Sequence, residues 1–213
     1  MPRMDLFSVL ARLVTLVIAF TVHEFAHAWT ADRLGDATPR LNGRLTLNPL
    51  AHLDPIGSLL LLVAGFGWAK PVPVNPYALR SRTPAGLFLV SAAGPLSNLL
   101  LAVLAALPFR AGWLAPSLVS GSLLASLSAL LVEFIFINLV LLFFNLIPLS
   151  PLDGEKVLEY FLPPEGKDVL ARLRPYGAMI LLALVFLGTA TRLDLLGILV
   201  QGPAQRLLGL LVL

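Results

Sequence analysis

The sequence predicts an all-α polytopic membrane protein, with five to six transmembrane helices and a small membrane-associated β-hairpin or re-entrant region. Three observations carry that expectation. The 213 residues are 58% hydrophobic and only 13% charged, where soluble domains are about 25% charged. Long apolar runs recur near the ~20 residues a membrane crossing needs. Between the first two of them, residues 36–85 are broken by Pro and Gly and lack any long periodic stretch. No hydrophilic stretch is long enough for a separate soluble domain, so 1–213 reads as one membrane-embedded domain, with a core at 5–160 and C-terminal helices at 176–213. A net charge of +3 fits basic loops facing a cytoplasm, and no basic stripe interleaved with aromatics suggests nucleic-acid binding.

Residues 5–31 read as the first span, ending near Arg33-Leu34-Gly35, where Gly35 suits a C-terminal cap. Arg3 and Arg12 give a weak likeness to a signal peptide, but no small-residue cleavage site follows, and the segment reads as retained. Arg40-Leu41-Asn42-Gly43-Arg44-Leu45 carries an Asn-Gly pair between short alternating runs, the signature of a β-hairpin. Residues 56–68 are apolar but short for a crossing, which favours a re-entrant or interfacial segment. Residues 69–76 contain Pro71, Pro73 and Pro76 and read as an extended edge strand, since proline cannot donate a ladder bond. Residues 86–109 and 122–147 are clear spans. Ala92, Ala93, Gly94 and Ser97 allow close helix approach in the first of these. Residues 155–174 are the most polar stretch and begin with an interfacial helix, while 176–190 and 193–213 are apolar again. Trp29, Trp68 and Trp113 suit interface anchors.

Charge then tests the topology. If 36–85 does not cross, loops 32–85 and 149–175 share one side. That side holds Arg33, Arg40, Arg44, Lys70, Arg80, Arg82, Lys156, Lys167, Arg172 and Arg174, against Arg3, Arg110 and Arg192 on the other. The basic side is expected to be cytoplasmic.

One pentapeptide stands out in this frame: His23-Glu24-Phe25-Ala26-His27, an HExxH inside the first apolar run. Residues four apart share a helix face, so both imidazoles can reach one metal, and Glu24 beside them can act as base on a water held there. Ionisable groups at membrane depth are costly and point to function. With no cysteine in the chain, further ligands must be His or carboxylate, and a zinc site would need a third protein ligand. Asp32, His52, Asp54, Glu133 and Asp153 are candidates. Asp153 is favoured, because it sits in a Pro- and Gly-bounded turn on the same predicted side as the HExxH end. Its structural alternative is a turn or helix N-cap aspartate.

The HExxH, then Gly94-Pro95-Leu96-Ser97-Asn98, then Asn145-Leu146-Ile147-Pro148-Leu149-Ser150-Pro151-Leu152-Asp153-Gly154 resemble, in order and spacing, the site-2 protease family of intramembrane zinc metalloproteases. With no PDZ or CBS segment, the resemblance is to a compact subgroup and covers about residues 5–160. It implies one Zn2+ per chain bound by His23, His27 and Asp153, with Glu24 as catalytic base. It also implies a helical bundle that hydrolyses peptide bonds in or near transmembrane segments of other membrane proteins. The expected location is a bacterial or archaeal cell membrane, multi-pass, with the active site towards the cytoplasmic side. Asn98, Asn145 and His52 are candidate substrate contacts, the two asparagines having helix–helix glue as the alternative role and His52 that of a surface or interfacial histidine. A substrate segment is expected to add to the Lys70–Pro76 edge as an extended strand, so proline at 72 or 74 should reduce turnover. Two other readings use the same residues: a metal transporter with His23, His27 and Asp153 as a transit site, and a non-catalytic binder of membrane helices. No inverted repeat favours the transporter. Oligomeric state is not legible in the sequence.

Overall fold

The computed structural model of the chain describes residues 6–55, 57, 69–116, 123–190 and 194–213. Among them the fold is helical and holds no sheet. The α-helices are α1 (Leu6–Arg33), α2 (Thr38–Leu41), α3 (Pro76–Arg82), α4 (Gly86–Arg110), α5 (Leu123–Asn145), α6 (Asp153–Phe161), α7 (Pro164–Leu173), α8 (Gly177–Ala190) and α9 (Gly202–Val212). Among the described residues four segments, against the five to six spans expected, are long and apolar enough to cross a membrane: Val9–Arg33, Gly86–Arg110, Leu123–Asn145 and Pro164–Gly188. A further apolar helix, Gly197–Val212, is shorter. Leu100, Leu104, Leu107, Leu124 and Phe186 are exposed on these helices, as expected where the solvent is hydrocarbon. The expected re-entrant segment at 56–68 lies outside the described residues, apart from Gly57.

The chain divides into two compact units, Met1–Ser97 and Asn98–Leu213. In the first, α1 stops as its sequence suggests. Gly35 has φ 90°, the Gly35 amide bonds the Asp32 carbonyl, and the Asp36 amide bonds the Ala31 carbonyl. This is a Schellman stop, which needs a left-handed residue that glycine adopts without steric cost.

The hairpin expected at 40–45 is not what these residues form. Asp36 Oδ1 accepts the Thr38 amide at 3.0 Å, and Pro39 sits in the first turn of α2. These are helix-start signals. The Asn42-Gly43 pair then ends α2. Gly43 has φ 66°, whereas Asn42 keeps φ −93°, and a hairpin turn of the Asn-Gly kind needs positive φ at both. The Gly43 and Arg44 amides bond the Arg40 and Pro39 carbonyls, a second Schellman stop. Residues 70–75 run without helix to α3, and the sole β-type pairing among the described residues is the antiparallel bridge of Leu53 with Ala69. α3 opens on Asn75, whose side chain accepts the Tyr77 and Ala78 amides. A small core of Ala31, Leu79 and Val90, with Leu34, Val74 and Leu87 against it, joins α1, α3 and the start of α4.

In the second unit, the core is Ala102, Ala106, Phe109, Val132, Ile135, Leu139, Leu142, Ala204 and Val212, drawn from α4, α5 and α9. After α5 the chain turns through residues 146–152 into α6. Gly154 lies against the Leu146 and Ile147 carbonyls, so close that no Cβ fits. The Asp-Gly pair therefore reflects backbone packed on the end of α5. Arg174 holds Glu155 at 2.5 Å and Glu159 at 3.0 Å, fixing α6 to the chain after α7.

Candidate active site

The residues that α1 buries include a stripe at four-residue spacing, Ala11, Thr15, Ala19, His23, His27 and Ala31, with Thr21, Glu24 and Ala28 beside it. The small members let neighbours approach closely, and the two histidines stand in the same row. His23, Glu24 and His27 are each no more than 8% exposed. The imidazoles meet edge to face, centroids 4.6 Å apart, with their Nε2 atoms 3.0 Å apart. His27 Nδ1 lies 2.7 Å from the Val90 carbonyl of α4. A carbonyl can only accept, so Nδ1 carries the proton and the Nε2 lone pair of His27 faces His23. This backbone carbonyl is the kind of outer partner that orients a metal-binding histidine.

Gly94 completes the cradle. A Cβ there would stand 2.6 Å from both Nε2 and Cε1 of His23 and would strike His27 Nε2. The position in front of the two nitrogens is thus kept clear because residue 94 has no side chain. Two metal–nitrogen bonds of about 2.0–2.1 Å at a tetrahedral angle separate the nitrogens by roughly 3.3 Å, close to the observed spacing. The donor set and the cleared space fit a zinc ion.

Glu24 is oriented from a different direction. Its Oε2 accepts the backbone N–H of Val72 at 3.1 Å. Val72 lies between Pro71 and Pro73, in a segment held at both ends. The Lys70 amide bonds the His52 carbonyl at 2.7 Å, and the Asn75 amide bonds Asp36 Oδ2 at 2.6 Å. Arg44, 5% exposed, donates to the carbonyls of Ala51, Lys70 and Pro71. The sequence places Val72 on a substrate edge and Arg44 among the charges of the basic side, but nothing in it ties either of them, or Asp36, to Glu24. Arg44 reads as one basic loop charge among ten, Asp36 carries no pattern of its own, and a backbone amide leaves no mark in a side-chain pattern.

The remaining candidates are placed as follows. Asp32 forms a two-point pair with Arg40, at 2.9 and 2.5 Å. His52 is fully buried; its Nε2 lies 2.8 Å from the Thr46 carbonyl, and its Nδ1 has no partner among the described residues. The ring is therefore built into its own loop rather than displayed on a surface. Asp54 Oδ1 accepts the Gly57 amide at 2.8 Å. In the second unit, Asp153 is half-buried in the first turn of α6, where the helix dipole favours a carboxylate. Glu133 is half-buried on α5. Asn98 Nδ2 donates to Asn138 Oδ1 at 3.0 Å, and Asn138 donates to the Phe134 carbonyl at 2.9 Å. Asn145 Nδ2 donates to the Leu141 carbonyl at 3.0 Å.

Comparison with known proteins bears on what such a site does. Residues 111–188 match the family model described as Peptidase family M50. The chain is 44% identical over 179 residues to YwhC of Bacillus subtilis, covering 81% of this chain and 78% of that relative. It is 36% identical over 172 residues to Rip2 of Mycolicibacterium smegmatis, covering 79% of this chain and 64% of that relative. Both carry the name "Putative zinc metalloprotease". No solved structure matches the chain.

Proposed function

The chain belongs to Peptidase family M50, and from that premise we propose that it is an intramembrane zinc endopeptidase acting on transmembrane segments of other membrane proteins. The observation that carries the reading is the pair of buried imidazole nitrogens 3.0 Å apart in front of a glycine, next to a buried glutamate. His23 and His27 would hold the metal. Asp153 is proposed as the third ligand; its support is the order and spacing of the motifs and the charge bias that assigns both ends to the cytoplasmic side. Bound zinc supplies a Lewis acid that acidifies water and polarises the scissile carbonyl. Glu24 takes the proton from the attacking water and delivers it to the leaving amine. The protonated Nδ1 of His27 keeps its Nε2 a ligand, and the Val72 amide limits the rotamers open to Glu24.

The substrate must present an unwound backbone, because helical carbonyls are already hydrogen-bonded. We place it on the Lys70–Pro76 edge. Three of those residues are prolines, and the amides of Lys70, Val72 and Asn75 are already bonded. Val74 keeps the one N–H without a partner among the described residues of that edge. Asn98 and Asn145 are assigned to helix–helix and intrahelical bonding, the part their hydrogen bonds support. Cells producing the wild type or Glu24→Gln, compared by proteomics of membrane-protein fragments, test the function. Fragments dependent on Glu24 are expected; identical fragment sets would overturn the protease reading.

A further inference from the structure

We propose that Arg44 is a positioning residue for Glu24, acting through the Val72 amide. This rests on Glu24 being the base, as argued above. A guanidinium buried among neutral carbonyls is costly unless its donors are well used. Arg44 has no carboxylate partner among the described residues. Its Nη2 is 2.8 Å from the Lys70 carbonyl and 2.7 Å from the Pro71 carbonyl, and its Nη1 donates to the Ala51 carbonyl. The two carbonyls it grips at Nη2 immediately precede Val72. Pro71 and Pro73 have no N–H, so within 71–73 the Val72 amide is the one backbone donor, and it goes to Glu24 Oε2. Asp36 secures the far end at Asn75. Two buried charges from the short turns around α2 thus hold one strap of backbone, and the strap's single central donor orients the base. The Schellman stop at Gly43 places Arg44 directly after α2, with its amide bonded to the Pro39 carbonyl.

Site-resolved amide exchange on the purified full chain, together with zinc content and the yield of Glu24-dependent fragments in cells, tests the chain of contacts. In Glu24→Ala, the Val72 amide should exchange about 10- to 100-fold faster, as fits loss of one charge-assisted hydrogen bond, with Lys70 and Asn75 unchanged. Arg44→Met should speed exchange at Val72 and lower fragment yield at least tenfold while zinc is retained, and Arg44→Lys should recover part of both. Val72→Pro removes the donor without touching Arg44; it should keep zinc and reproduce the fragment loss, and it carries the test if Arg44→Met does not fold. Unchanged Val72 exchange in Glu24→Ala, or full fragment yield in Val72→Pro, would overturn the proposal. Fragments that persist in Glu24→Gln while Val72 exchange still depends on residue 24 would instead sink the base assignment and leave the contact standing.

Discussion

Replacing Gly94 by Ala isolates the metal cradle, because the two energetic effects have opposite signs. Alanine favours a helix over glycine by about 1 kcal/mol, so on helix propensity alone the variant should be slightly more stable. The added Cβ, however, would lie 2.6 Å from His23 Nε2 and closer still to His27 Nε2. An ordinary carbon–nitrogen contact is roughly 3.4 Å, so both rings must withdraw by about 0.8 Å or more. Ligand distances tolerate about ±0.2 Å. Zinc sites contribute about 10–16 kcal/mol over four ligands, or roughly 3 kcal/mol each, and weakening two should cost about 6 kcal/mol. At ~1.4 kcal/mol per tenfold, that is about 10,000-fold in affinity. Zinc per chain by mass spectrometry, followed by chelator competition, measures it, and a thermal melt followed by circular dichroism reports folding. A Gly94→Ala protein that melts like the wild type and binds zinc within tenfold of it would refute the cradle.

The other variants separate roles within the site. Asp153→Ala should lose zinc by at least about 100-fold, as expected for a missing ligand, whereas Glu24→Gln should keep it and lose proteolysis; zinc retained in both removes Asp153 from the ligand set. Val74→Pro deletes the free edge amide and should cut cleavage of the Glu24-dependent substrates about tenfold while leaving zinc and the Val72 amide exchange unchanged; unaltered cleavage counts against strand addition. Asn98→Ala should lower stability by about 1 kcal/mol, the value of an interhelical hydrogen bond in a membrane, seen as a lower melting temperature, with turnover per folded molecule preserved; a selective loss of turnover would give Asn98 a substrate role.

Residues whose role follows from local periodicity were legible in the chain. The spans over α1, α4 and α5 follow from uninterrupted apolar runs, and the HExxH spacing places both histidines on one face whatever surrounds them. Gly35 was readable as a stop because the helix pattern ends there. The Asn42-Gly43 pair was misread for a physical reason. The same two residues suit a hairpin turn or a helix C-terminus, and the choice fell to Asp36 and Pro39 upstream, which start α2. Gly94 was legible as a small residue but not as the space before two nitrogens, since that needs α1 and α4 brought together.

By itself, then, the sequence determined the solvent, the spans over α1, α4 and α5 and the residue types of the candidate donors, because each depends on neighbours within a few residues. Only the tertiary structure decided how those donors are held. The proton on His27 depends on a carbonyl 63 residues away, and the orientation of Glu24 depends on an amide 48 residues away. Such contacts are made by backbone groups, a carbonyl that every residue carries and an amide that every residue but proline carries, so no side-chain pattern can announce them.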